Sequence, residues 1–184
     1  MVFHKEFENC TFEPCDFIDA AFEQCEFHDC VFKSYNSSLT ELNGSKFQNF
    51  RFAECKLIAG DFTKAHWRGV NLGSPFKFEE CLLNSASFFG LKQGKLILKN
   101  CRVHYVDFRD CNLEEGSFEG TYFSASLFHH TLLKKANFRG AVNFDINVKT
   151  NTLTGAIFSK FEALQLLESL NLPHERNTLK IKKV

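Results

Sequence analysis

The chain is short of several things at once. With three Pro and ten Gly in 184 residues, it is neither collagen-like nor a proline- or glycine-driven disordered segment. One Trp, one Met and three Tyr stand against 23 Phe, a bias towards a single repeated packing solution. No stretch approaches the roughly 18 consecutive apolar residues of a membrane-spanning helix. The opening MVFHKEFENC has no basic region leading into an apolar one, so no secretory signal is read. A surplus of either charge is missing too: 22 basic residues balance 22 acidic ones, which removes the global footprint of a nucleic-acid binder. The expectation is a cytoplasmic protein, with no membrane and no direct nucleic-acid partner, whose eight Cys stay reduced.

What is present is a period of five. In CTFEPCDFIDAAFEQCEFHDCVF (residues 10–32) a ring recurs at Phe12, Phe17, Phe22, Phe27 and Phe32. On an α-helix, five residues turn about 500°, so successive rings would smear around the surface. On a flat strand an odd period would send alternate rings to opposite faces. A chain that bends by a constant angle every five residues keeps them all inside. With the large residue called position i, the register runs from Phe7 to Leu72, broken only at Ser37. It resumes one residue out of phase at Phe78 and continues to Phe138, with Gln93 a misfit. It frays at Asn143 and returns at Val148, Leu153 and Phe158. Position i−2 is small: Cys10, Cys15, Ala20, Cys25, Cys30, and later Cys81, Cys101, Thr121 and Ala136. Two residues apart in extended backbone means the same side, so each unit points one large and one small side chain inward.

Units such as CEFHD, ANFRG, CNLEE and GSFEG resemble the pentapeptide-repeat consensus across about residues 5–158. That resemblance implies an all-β fold, a right-handed quadrilateral β-helix with four pentapeptides to a coil. At about 20 residues and 4.8 Å per coil, nearly eight coils would make a rod roughly 37 Å long. The one-residue slip at Gly73 to Lys77 is expected to be a bulge or small loop turning on Ser74 and Pro75. Residues 34–46 are the weakest repeat: they either project as a loop or keep register with poor inward residues, and the unchanged register around them favours the second.

After Phe158 the pattern changes. In FSKFEALQLLESLNL, Ser159 and Glu162 have capping-box spacing. Phe161, Leu164, Leu167 and Leu170 recur at helical spacing, with Leu166 beside them. The expected organisation is a β-helix over 1–158, a helix over 159–172 capping its open end, and a basic tail over 173–184. The helix carries more apolar surface than a cap needs, so Phe161, Leu164, Leu166, Leu167 and Leu170 are the expected homodimer interface.

Nothing readable supports catalysis. Every Cys sits at i−2 with C-x4-C spacing, unlike the C-x2-C knuckle of zinc sites, and reads as a small buried side chain. His129 and His130 fall at outward positions. There is no nucleophile–base constellation, no glycine-rich phosphate loop, and no concave pocket in a Phe-filled coil. A non-enzyme without metal, cofactor or small-molecule substrate is expected. The surface is polarised, however. Residues 1–30 carry Glu6, Glu8, Glu13, Asp16, Asp19, Glu23, Glu26 and Asp29 against Lys5 alone, a candidate acidic surface for a partner. Asp107, Asp110, Glu114, Glu115 and Glu119 form a second acidic cluster, preceded by Lys92, Lys95, Lys99 and Arg102.

The helix segment also resembles the C-terminal dimerisation helix of pentapeptide proteins that protect DNA gyrase. VNLGSPFKFEECLLNSASFFGL and ANFRGAVNFDI are similar to the albicidin-resistance and microcin-immunity members, and more distantly to the quinolone-resistance Qnr proteins. This implies a dimeric rod that binds gyrase or topoisomerase IV and relieves poisoned cleavage complexes, in a family whose acidic rods have been viewed as DNA mimics. The alternative is an interaction scaffold for a different protein.

Overall fold

The computed structural model describes residues 2–13, 22–38, 42–67, 76–92 and 94–170. The chain winds as a parallel β-solenoid with four faces. The first face stacks Glu6–Glu8, Glu26–His28, Lys46–Gln48 and His66–Trp67. The second stacks Thr11–Phe12, Val31–Lys33, Phe50–Ala53, Phe76–Glu79 and Ile97–Lys99. The third stacks Asn36–Ser38, Lys56–Ile58, Leu82–Asn84, Arg102–His104 and Tyr122–Ser124. The fourth begins at Val2–Phe3 and Phe22–Glu23 and is carried upward by bridges linking Asp61, Ser87, Asp107 and Leu127.

Each face therefore buries one column of position-i side chains. Phe7, Phe27 and Phe47 stack with ring centroids 5.1 and 4.9 Å apart. Phe62, Phe88, Phe108 and Phe128 continue the fourth face at 4.6, 5.3 and 5.0 Å. The spacing follows from the distance between hydrogen-bonded strands, which is also a comfortable separation for offset aromatic stacking. That match explains the preference for Phe. The chain turns two residues after each inward ring, where Asn9, Asp29, Asn49 and Asp110 adopt φ of 50, 52, 48 and 58°. Asn and Asp tolerate this left-handed conformation best among residues with a Cβ. At Gly120 (φ +66°) a Cβ would stand 2.3 Å from the side-chain oxygen of Asn100 in the coil below, so any larger residue there would have to displace that amide.

Position i−2 does more than leave room. Thr121 donates to the carbonyl of Leu98 at 2.7 Å, Ser45 to Phe22 at 2.7 Å and Thr131 to Phe108 at 2.9 Å. The thiols of Cys30, Cys55, Cys101 and Cys111 reach Phe7, Phe32, Phe78 and Phe88 in the same way, at 3.4, 3.2, 3.3 and 2.8 Å. Each adds a side-chain donor to a carbonyl of the preceding coil, and those of Phe88 and Phe108 also accept from the N–H groups of Leu91 and Cys111 at 3.0 and 3.4 Å. Cysteine is thus a weak donor as well as a small side chain.

The structure corrects several sequence expectations. The slip before Phe78 is an insertion of six residues rather than one. Phe78 stands beside Phe52, and the contact from Cys81 to Cys55 spans 26 residues where the equivalent step elsewhere is 20. The turn expected at Ser74 and Pro75 lies outside the described residues, as does Gln93. The rod has about seven coils, against the nearly eight reckoned from the length of the repeat region. Within 34–46, Ser37 pairs with Leu57 on one side and Lys46 with Glu26 on the other, while residues 39–41 lie outside the described residues. A void of about 20 Å³, lined by Tyr35, Leu42, Phe47, Phe52, Leu57 and Phe62, remains at this weak repeat. Near the end, Phe144 and Ile146 are the buried residues, and Ile146, not Val148, bridges to Phe128. A turn in which the Thr150 N–H donates to the Asn147 carbonyl restores the register, so that Thr152 bridges to Leu132.

The helix, α1, runs Lys160–Glu168, with Ser169 and Leu170 completing its last turn. Its capping box does not form. The Ser159 hydroxyl instead accepts from the Gly140 N–H at 2.8 Å, and one carboxylate oxygen of Glu162 is buried without a partner. At the other end Ser169 accepts from the Val148 N–H at 3.2 Å and donates to the Leu166 carbonyl at 2.7 Å. Two serines thus fasten the helix across the last coil.

Candidate interaction surface

The acidic first coils are less negative in space than in sequence. Glu13 pairs with Lys33 at 3.1 Å. Glu26 pairs with Lys46, whose hydrogen bond is the main reason the carboxyl is held below its usual range. The Asp29 carboxylate accepts from Asn49. Glu6 and Glu8 are exposed and Glu23 is half-buried, while Asp16 and Asp19 lie outside the described residues. The second acidic cluster meets the basic group that precedes it, because residues 20 apart in sequence are neighbours on adjacent coils. Lys95 and Lys135 flank Glu115 at 3.8 and 3.6 Å along one corner. Arg109 grips Asp107 through two nitrogens at 2.9 and 2.7 Å and lies 5.6 Å from the exposed ring of Phe89. His130 approaches Asp110 at 3.6 Å, with the His129 ring 3.9 Å away. Lys99 and Arg102 remain exposed.

The helix residues separate into two groups. Phe161, Leu164 and Leu167 are 78, 56 and 37% exposed, at the i, i+3, i+6 spacing of one helix face. Leu166 packs against the core, and Leu170 is half-buried. The excess apolar surface expected from the sequence is therefore present, carried by the first three.

Among the described residues no group of three or more His, Cys, Asp or Glu could hold a metal ion, and no helix is long and apolar enough to cross a membrane. Six of the seven described cysteines are buried; Cys10 is half-exposed, which departs from the expectation that all point fully inward. Contact with Cys101, and then burial, push the Cys81 thiol from 9.0 up to about 12; burial pushes Cys111 up to about 12. Thiolates are the reactive form, so these groups are inert. A thiol reagent is expected to label Cys10 quickly in the folded protein and the six buried thiols only after denaturation. Above pH 9.0 the unfolded chain releases thiol protons that the native chain keeps. Stability should therefore fall between pH 9.0 and about 12, in urea titrations, and be insensitive to these groups below that window. Rapid labelling of all thiols in the native state would contradict both expectations.

Two family models cover most of the chain: a pentapeptide repeat region over residues 5–88, and pentapeptide repeats in eight copies over residues 98–142. No curated protein matches in sequence. Among solved structures, full-length QnrB1, a plasmid-mediated fluoroquinolone resistance protein, is similar at 18% identity and a TM-score of 0.67, over 92% of this chain and 90% of that one. A trypsin-treated variant of QnrB1 aligns at 18% identity and a TM-score of 0.51, over 92% of this chain and 91% of that one. HetL, from the cyanobacterium Nostoc sp. strain PCC 7120, aligns at 17% identity with a TM-score of 0.42, over 85% of this chain and 84% of that one. The five-residue period, the stacked Phe columns and the matched models agree, and the chain belongs to the pentapeptide-repeat family.

Proposed function

We propose that this protein is a non-enzymatic, dimeric rod that binds a type II topoisomerase, DNA gyrase or topoisomerase IV, and protects it from a drug or toxin. The observation carrying this reading is the exposed apolar face of α1, Phe161, Leu164 and Leu167, at one end of the repeat rod, a surface of the kind a second copy covers. The likeness of FSKFEALQLLESLNL to the dimerisation helix of gyrase-protecting proteins, and a fold like that of a fluoroquinolone resistance protein, point the same way. Mimicry of DNA along the whole rod is not part of the reading. A duplex carries one charge per roughly 1.7 Å, about 20 over a seven-coil rod of roughly 34 Å, whereas this chain is neutral and bridges several of its own carboxylates. Among the described residues of the first coils, Glu6, Glu8, Glu23 and Asp29 have no Lys or Arg paired with them.

The test is a cleavage and supercoiling assay with purified gyrase and topoisomerase IV, with and without a fluoroquinolone. Protection should appear as fewer trapped cleavage complexes and restored supercoiling. A pure protein with no effect on either enzyme, poisoned or not, would overturn the reading.

A further inference from the structure

The third face differs from the rest of the surface. In a chain with 22 acidic residues, its five strands contain no Asp or Glu: NSS, KLI, LLN, RVH and YFS. The corner entering it carries Glu54 and Glu80 in the lower coils, but Asn100 and Gly120 above them. Beside that upper stretch stand Arg102, exposed, and Tyr122, 38% exposed and directly paired with it in the ladder. The Tyr122 ring lies 5.7 Å from that of His104, and Tyr105, 67% exposed, marks the next corner.

This composition discriminates between kinds of partner. Cores of protein–protein interfaces are enriched in Tyr and Arg and depleted in Asp, Glu and Lys, and their hot spots are drawn from the same residues. Two strand cations, Lys56 and Arg102, over five coils are too sparse for a nucleic-acid backbone, whose binding rests on many phosphate contacts. A basic, carboxylate-free, aromatic strip complements a surface that is itself acidic and partly apolar. We infer that the third face, centred on Arg102, His104, Tyr105 and Tyr122, is where the partner protein docks, through an acidic and apolar patch of that partner. Naming the partner as a type II topoisomerase rests on the function proposed above. The geometry is opposite in sign to DNA mimicry: the rod brings the positive and aromatic groups, and the enzyme the carboxylates.

The experiment measures binding of gyrase and topoisomerase IV to immobilised protein. Wild type is compared with Arg102→Glu combined with Tyr122→Ser, with Arg102→Glu alone, and with Leu132→Ser combined with Lys134→Glu. The last pair makes a matched change on the first face, where Leu132 and Lys134 are also exposed. Each variant is first shown to keep the wild-type thermal midpoint and sedimentation. The third-face double variant should bind about tenfold more weakly or worse, the single Arg102 variant should weaken in the same direction, and the first-face pair should bind as wild type. Equal binding by all would overturn the docking face and leave the topoisomerase reading intact. A wild type that binds neither enzyme would overturn both. Retention of a DNA oligonucleotide that Arg102→Glu abolishes would make the strip a nucleic-acid site, which also overturns it.

Discussion

Phe27→Ala should destabilise the protein by about 3–5 kcal/mol, the range for removing a large ring from a close-packed core. Phe27 is fully buried, stacked between Phe7 and Phe47 at 5.1 and 4.9 Å. It also meets Phe12 and Phe22 edge-on at 6.2 and 5.5 Å. Alanine would leave a cavity that these neighbours cannot fill, because each is pinned in its own column by the coil spacing. The loss should be concentrated in the first coils, since a solenoid's stability is close to a sum of unit and neighbour terms. Glu23→Ala, at an outward position of the same coil, should cost less than roughly 0.5 kcal/mol. Urea titration followed by circular dichroism compares the two. Equal costs would mean that the ring columns are not what holds the coils together.

Replacing Phe161 and Leu164 together with Lys should convert the proposed dimer into a folded monomer. Both side chains are more than half exposed on α1, so the substitutions disturb little within the subunit. Leu166→Lys should behave differently: Leu166 packs against the core, and a charge there should detach the helix from the last coil. Sedimentation velocity at micromolar concentration separates these outcomes, and the double variant should also lose topoisomerase protection. A wild type that sediments as a monomer would remove the assembly from the proposed function.

The coil was legible because one ring per face repeats at a spacing no helix or flat strand uses. The size of the insertion was not, because five of its six residues equal one repeat period and cancel in phase. Only the sixth shows as a slip before Phe78. The capping box failed for a different reason. The spacing of Ser159 and Glu162 is a local signal, and the Gly140 N–H of the coil below competes for the same hydroxyl. The acidic and basic runs were legible as runs, but not as the pairs they become, since Lys95 and Glu115 meet only once the coil is wound. The carboxylate-free third face is hidden for the same reason. Its strands lie 20 or more residues apart and share no local motif, although writing the chain in rows of one coil would have exposed it.

The backbone bonds that join successive coils, such as the Lys46 N–H to the Cys25 carbonyl or the Leu132 N–H to the Cys111 carbonyl, run along the rod rather than across it. Tension applied to the two ends therefore loads the outermost coil first, as in opening a zipper, and does not shear many bonds at once. The two ends are unequal in this respect. Serines fasten α1 across the last coil, whereas Phe3 is 43% exposed and Phe7 and Phe12 are only half-buried in the first. Under force, or in a protease's grip, the described coils should peel from the acidic end towards the helix.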